Sequence, residues 1–506
     1  VRAVGALAAA LLLAATTGAD AGVPQPSRAA TPAGAVPVAD RAESAARLGC
    51  ERRTGADYNG DGYPDLAVGD PNAHVRRPGA GSVHVLLGTE AGLPRVDAAD
   101  ALLTSARAPA ALRLADVDGD GCADLVVGSP HAERNRAVIY WGARGARPTF
   151  AQVDATALAV AAGAGANVGW SVAAAEGVVA VGAPGEDVAG VRRAGAVHVF
   201  TVGPGRKVTE RLRITQETPG VPGVAEPGDM FGWSLALGRL GGDPDALDLV
   251  IGAPYEDIEA GAGRDAGAIT IVYDVTARRG GGRLRGVSRH LAAADDGLTD
   301  RAGDRFGYAL AYGEWGGLAH LAVSAPGADV AGAADAGAVR LYEAGGKAGP
   351  RAVRLLRQGA GGLPDAPEEG DEFGHALGFA GGNVLVGAPF EDVRGVPEAG
   401  AVTVVPLDGG PGSFVTEGRV RLQAYDHFGW SVTGVGEEWM AVGVPDEQAT
   451  HGGAVALIRL LGDGVHRDVH LLAPGYKGIP HLPHAGGLPR PREIGASVDF
   501  GAVVAG

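Results

Sequence analysis

One phrase recurs seven times along the chain and limits what it can fold into. It reads LAVGDP (66–71), LVVGSP (125–130), VAVGAP (179–184), LVIGAP (249–254), LAVSAP (321–326), LVGAP (385–389) and AVGVP (441–445). Each copy is a short apolar, β-branched run ending in a turn, which predicts a buried strand. The copies fall 54 to 72 residues apart. No 3.6-residue periodicity accompanies them, so helical repeats are excluded, and four short strands with their turns fit the spacing.

The remaining strands fall into place around this phrase. Upstream, an aromatic-Gly pair opens a first strand: Phe231-Gly232-Trp233-Ser234, Phe306-Gly307-Tyr308-Ala309, Phe373-Gly374-His375-Ala376, Phe428-Gly429-Trp430-Ser431 and the variant Val168-Gly169-Trp170-Ser171. Downstream, a third strand alternates with period two, as in GAVHVF (195–200), GAITIVY (267–273) and GAVTVV (400–405). A variable fourth strand follows, such as RLRIT (211–215) or RVRLQ (419–423). With 85 glycines, the chain predicts tight turns and closely approaching backbones. The fold expected is all-β: a seven-bladed β-propeller.

A ring of sheets leaves open edges unless it closes. The first copy of the phrase has no clear Phe-Gly of its own. Ile494-Gly495-Ala496-Ser497-Val498 resembles Phe428–Val432, so the C-terminal segment is expected to complete the first blade. Leu48-Gly49 offers a competing registration in which the C-terminal segment is a cap.

Two copies carry a loop with chemical content: Asp57-Tyr58-Asn59-Gly60-Asp61-Gly62-Tyr63-Pro64-Asp65 and Asp116-Val117-Asp118-Gly119-Asp120-Gly121-Cys122-Ala123-Asp124. Both read D-x-[DN]-x-D-G-x-x-D. A hard cation takes six to eight oxygens, and alternate side chains around a glycine-bent loop can converge on one point. Asp57, Asn59, Asp61 and Asp65, and Asp116, Asp118, Asp120 and Asp124, would supply side-chain oxygens; Tyr63 and Cys122 would supply backbone carbonyls. Ca²⁺ suits such a loop better than Mg²⁺, whose geometry is stricter. No Glu stands at position 12, so this is not a helix-loop-helix site. The metal-free alternative is an Asp/Asn-Gly turn. Asp243, Asp245 and Asp248 in the fourth copy have broken spacing, and no metal is assigned there.

The Phe-Gly, Gly-Ala-Pro and acidic-loop residues together resemble FG-GAP repeats, the units of the integrin α-subunit N-terminal propeller and of many bacterial exported proteins. The resemblance covers nearly all of residues 47–506, and implies an integrin-α-like calcium-binding propeller acting in extracellular recognition or cell adhesion. Integrin calcium loops sit in later blades, whereas here they sit in the first two.

Export is expected from the N-terminus: an apolar run from Ala3 to Ala15 and Ala19-Asp20-Ala21 predict a signal peptide over 1–21, followed by a Pro-containing linker over 22–46. No stretch approaches about 20 uninterrupted apolar residues, so no membrane span is expected. Cys50 and Cys122, the two cysteines, suit a disulfide in an oxidising compartment, the alternative being two buried thiols. A net charge of -16 disfavours nucleic acid.

Acidic pairs follow the Pro turns: Glu186-Asp187, Glu256-Asp257 and Glu391-Asp392, with Asp329 in the fifth copy. They are expected to cap turns and solvate one rim. Trp170, Trp233 and Trp430 share one repeat position and are expected to pack between blades. No H-E-x-x-H, G-x-S-x-G or P-loop motif occurs. The reading favours a secreted monomer binding an extracellular protein or polysaccharide over its alternative, an exported hydrolase or lyase acting on a glycan or lipid.

Overall fold

In the computed structural model the chain forms seven sheets arranged as a propeller. The structure describes residues 50, 55–73, 81–90, 109–132, 137–146, 154–163, 165–258, 263–275, 301–418, 422–447, 450, 452–460, 469–475, 479 and 501–506. It also describes the backbone of residues 12–13, 102–103 and 289–292.

Each blade has four antiparallel strands, the second being the recurring phrase, and the sheet of blade two carries Leu12–Leu13 as a fifth, parallel strand. Blade three runs Val172–Ala175, Val178–Ala183, Ala196–Gly203 and Lys207–Ile214. Blade six runs Ala376–Ala380, Asn383–Ala388, Ala401–Pro406 and Ser413–Val415. The fourth strand expected at 419–423 is thus displaced to Ser413–Val415, and residues 419–421 lie outside the described residues. The second strands of all seven blades are buried along almost their whole length. Neighbouring first strands touch around the ring, which places them nearest the axis.

The Phe-Gly pair is an inter-blade latch. Phe231, Phe306, Phe373 and Phe428 are buried, and each donates its N–H to an alanine carbonyl of the preceding blade: Ala194, Ala266, Ala336 and Ala399, at 2.8 to 3.0 Å. The glycine after each alanine lies against the phenylalanine backbone. At Gly195, with φ +90°, a Cβ would collide with Phe231. Sealing each ring in apolar surface contributes on the order of 2 kcal/mol per blade. Hydroxyls add a second tie: Ser171, Ser234 and Ser431 donate to the carbonyls of Gly232, Gly307 and Gly501 in the next blade.

Closure comes from the C-terminus, six residues later than Ile494–Val498 suggested. Val503–Ala505 pairs antiparallel with Gly69–Ala67 and completes blade one beside Leu66–Asp70, Ser82–Leu86 and Leu102–Leu103. The Gly501 N–H donates to the Gly69 carbonyl as Gly429 does to Gly443, so the motif of this blade is Phe500-Gly501. Residues 494–498 lie outside the described residues, as do 48 and 49. Val504, Leu66 and Val68 share a core with Val435, Val455 and Leu457 of blade seven, and this apolar face seals the ring.

The leader expected at 1–21 and the linker at 22–46 lie outside the described residues, apart from Leu12–Leu13, whose backbone pairs in parallel with Ala111–Leu112. Among the described residues no helix is long and apolar enough to cross a membrane.

Closure makes Gly501 a sensitive position: its φ is +91° and a Cβ would meet the Ala454 carbonyl of blade seven. Gly501→Ala is expected to destabilise by about 1 to 3 kcal/mol through that strain and clash. A denaturant titration showing an unchanged midpoint would contradict the closure described here.

Candidate metal loops and an aromatic collar

The two acidic loops sit side by side at one end of the axis. Residues 116–124 link the first strand of blade two, Ala111–Ala115, to its second, Asp124–Gly128, and residues 57–65 lead into Leu66–Asp70. Each loop winds around its first carboxylate. Asp57 Oδ1 accepts from Gly60 N–H (2.7 Å) and Oδ2 from Gly62 N–H (2.7 Å). Asp116 Oδ1 accepts from Gly119 N–H (2.7 Å) and Oδ2 from Gly121 N–H (3.0 Å). Asn59 and Asp118 accept from the N–H groups of Asp61 and Asp120 at position five, which accept in turn from Tyr63 and Cys122 N–H. Asp116, Asp118 and Asp120 bring one oxygen each within 4.8 Å of one another.

The ninth position does different work. Asp65 accepts from Tyr58 and Gly88 N–H, both at 2.7 Å, and Asp124 from Val117 and Gly142 N–H, both at 2.9 Å. Asp248, in the copy without a complete loop, is held in the same way by Leu240, Gly241 and Asp274 N–H. This carboxylate therefore anchors the start of the second strand whether or not a full loop precedes it. Burial first, then nearby carboxylates, push Asp124 up to about 8 and Asp65 well above the usual carboxylate range.

A residue with no sequence signature completes the second loop. Arg206, from the third-to-fourth-strand hairpin of blade three, places Nε 2.7 Å from Asp118 Oδ2 and Nη2 3.3 Å from Asp120 Oδ2, with its guanidinium over the Trp141 ring. A cation thus already sits against two of the loop's carboxylates, which shows that the donor set suits positive charge. The first loop has an amide instead: Asn59 Nδ2 donates to Asp61 Oδ2 at 2.8 Å. The Cys50–Cys122 disulfide ties the two loops together, and Cys50 packs against both Gly60 and Gly121. Backbone bonds from Ala123, Ala143 and Gly145 to the carbonyls of Asp57, Tyr58 and Asn59 fasten loop one to blade two.

At the opposite end of the axis the expected Trp packing is present and extends further. Trp170, Trp233, Tyr308, His375 and Trp430 stand at the entrance to the first strands of blades three to seven, with successive ring centroids 4.8, 5.7, 5.5 and 5.0 Å apart. Tyr255 and Phe390, each following a Gly-Ala-Pro turn, pack behind this arc. Strand register places Ala110 and Ala502 at the same position in blades two and one, so the series of rings is interrupted there. Among the described residues the buried Nε1 atoms of Trp170, Trp233 and Trp430 and Nε2 of His375 have no hydrogen-bond partner.

The acidic pairs on this face divide their labour. The aspartates cap turns as expected: Asp187, Asp257 and Asp392 accept from the N–H groups of Arg193, Asp265 and Glu398 at 2.8 to 2.9 Å. The glutamates turn inward between blades and are buried. Glu186 meets His198 at 2.9 Å and Arg213 at 2.7 Å. Glu256 and Glu391 instead meet the amides of Gln216 and Gln358.

The sequence model of the FG-GAP-like repeat matches residues 57–127. Among curated proteins the chain is similar to the phosphatidylinositol-glycan-specific phospholipase D of Homo sapiens, 30% identical over 215 residues, 38% of this chain and 24% of that protein. The Bos taurus protein of the same name is 36% identical over 100 residues, 18% and 12% of the two chains. Integrin alpha-PS5 of Drosophila melanogaster is 39% identical over 100 residues, 18% and 9%. The chain therefore spans a quarter or less of the length of these relatives.

Beside the collar, burial opposes charge on His427, but hydrogen bonds to Asp446 (2.8 Å) and Glu398 (3.4 Å) outweigh it and raise its pKa to about 9. A histidine raised from about 6.5 contributes stability fully present below pH 6.5 and lost as pH rises through 9. His427→Gln should cost about 2 to 3 kcal/mol at pH 6 and almost nothing at pH 10. Denaturant melts of both proteins across that window measure the difference, and a pH-independent gap would refute the ion pair.

Proposed function

We propose, from the premise that this chain is a seven-bladed propeller of FG-GAP repeats, that it serves as a secreted, calcium-stabilised recognition module whose aromatic collar receives an extracellular protein or polysaccharide. The collar carries this reading. Its five rings are packed on one another and 1 to 8% exposed, and among the described residues the Nε1 atoms of Trp170, Trp233 and Trp430 and Nε2 of His375 lack hydrogen-bond partners, each costing about 1 to 3 kcal/mol until one arrives. A ligand rich in carbonyl or hydroxyl oxygens would supply those partners. Secretion is supported by the leader-like sequence at 1–21 and by the Cys50–Cys122 disulfide. A monomer is favoured because the ring closes on itself and an outer strand such as Lys207–Ile214 carries Lys207, Glu210, Arg211 and Arg213, charges that discourage edge pairing.

Calcium is assigned to the two loops. Asp57, Asn59, Asp61, Asp65 and the Tyr63 carbonyl would hold one ion; Asp116, Asp118, Asp120, Asp124 and the Cys122 carbonyl would hold the other, in competition with Arg206. An all-oxygen donor set of this kind suits Ca²⁺. Binding to the folded state alone stabilises it by mass action. Calorimetric titration of chelated protein should show Asp61→Ala and Asp120→Ala each losing one calcium per chain. Arg206→Ala should tighten the second loop several-fold, since it removes a competing cation. Unchanged stoichiometry in both aspartate variants would mean that the loops are metal-free turns.

The recognition reading is tested on a biosensor carrying collagen, fibronectin and a panel of polysaccharides. Binding that Trp430→Ala or Trp233→Ala abolishes, with the fold retained, is the expected result; no binding to any surface counts against it. A second reading, hydrolysis of a glycan or lipid, is favoured by the similarity to proteins named phosphatidylinositol-glycan-specific phospholipase D. Release of a glycosylphosphatidylinositol-linked reporter by the purified chain would decide for it.

A further inference from the structure

The glutamate two residues past each Gly-Ala-Pro turn occupies the same inter-blade position in several blades, and the blades balance its charge in different ways. In blade three Glu186 is buried and meets two cationic groups, His198 on the third strand and Arg213 on the fourth. Strand register places Thr403 and Phe414 at those two positions in blade six. Blade six therefore has neither cation, yet its glutamate, Glu391, is only 1% exposed. It also adds acid: Asp371, 2% exposed, and Glu368 each bring an oxygen so that one from each of the three carboxylates lies within 4.8 Å of the others. No ion pair among the described residues joins any of the three to a basic side chain.

A fourth group points to what fills this nest. Gln358, 3% exposed at the exit of the fourth strand of blade five, sets its amide nitrogen 2.5 Å from Glu391 Oε2, while its amide oxygen is buried with no hydrogen-bond partner. A half-turn of that amide exchanges the two atoms and turns an oxygen on the carboxylates. We propose that Glu368, Asp371, Glu391 and Gln358 form a divalent-cation site of the calcium class at the joint between blades five and six, distinct from the two glycine-bent loops. Three carboxylates and an amide are all hard oxygen donors, and water can complete the six to eight positions that Ca²⁺ takes. Without a cation the cluster is costly, because buried carboxylates that face one another must take up protons instead. Blade four repeats the buried pair and amide as Asp229, Glu256 and Gln216, but the third acid, Glu226, is not gathered to them within the same distance.

The test uses the full chain, stripped with chelator and titrated with Ca²⁺ alone. In wild type, Glu391→Gln should lower the calorimetric stoichiometry by one calcium per chain while both loops still bind. In the Asp61→Ala/Asp120→Ala background a calcium should remain, and Glu391→Gln should remove it. Metal-free Glu391→Gln should keep its parent's melting transition, since an amide replaces a carboxyl that is protonated when no cation is bound, so the lost site cannot be ascribed to misfolding. Unchanged stoichiometry on Glu391→Gln in wild type overturns the proposal whatever the loops do; failure of the loop assignment alone would appear as unchanged stoichiometry in Asp61→Ala and Asp120→Ala.

Discussion

The hydrogen bond from the motif phenylalanine N–H of blades four to seven to an alanine carbonyl of the blade before it is the contact on which the ring depends. It fixes the approach of neighbouring blades so closely that the residue after the alanine has no room for a side chain, as at Gly195 beneath Phe231. The Ala-Gly-Ala that opens the third strands and the Phe-Gly that precedes the first strands are two halves of one joint. A chain built in this way needs few bulky residues. Its core is mainly Val, Ala and Leu because the separation between sheets is set by backbone contacts rather than by large rings.

Much of this was legible in the sequence because the joint repeats. The second strands could be read from their β-branched runs, the Phe-Gly turns from their glycines, and the capping role of Asp187, Asp257 and Asp392 from their place after a turn. The closing strand was misplaced onto Ile494–Val498 because Ser497-Val498 imitates Ser431-Val432. Phe500-Gly501 lies nearer the end of the chain, followed by only three strand residues. The Gln358–Glu391 contact was not legible, since glutamine carries no motif. A faint signal did exist: Gln216 and Gln358 each stand 15 residues before the phenylalanine of the next blade, and Asp229 and Asp371 two before it. Arg206 could not have been found, because its contact with Asp118 spans 88 residues and depends on a hairpin of a different blade.

The two ends of the axis carry different electrostatics for a reason rooted in strand direction. The first strand runs from the collar end to the loop end and the second runs back, so what is inserted between them gathers at one end, as does loop one, which leads into the second strand of blade one. Everything that follows the second strand or precedes the first gathers at the other. Acidic residues at the loop end are organised by backbone N–H groups, with Asp57, Asp65, Asp124 and Asp248 buried among them. The glutamates that follow the Pro turns at the collar end are pressed between blades, where each has a partner: His198 and Arg213 for Glu186, an amide for Glu256 and Glu391.

Blades one and two are exceptional at both ends, and the two exceptions are connected. They have alanine where the others have collar rings, Ala502 and Ala110, and so lose the aromatic stacking that joins blades three to seven. They alone carry complete acidic loops, and they alone share a disulfide, with Cys50 wedged against Gly60 and Gly121 and three backbone bonds binding loop one to blade two. Blade one is also the one assembled from both ends of the chain, so its first strand has no covalent link to its second. The disulfide and the backbone bonds at the loop end join these two blades where ring stacking joins the others. The seam of the propeller and the break in its series of aromatic rings thus fall in the same two blades.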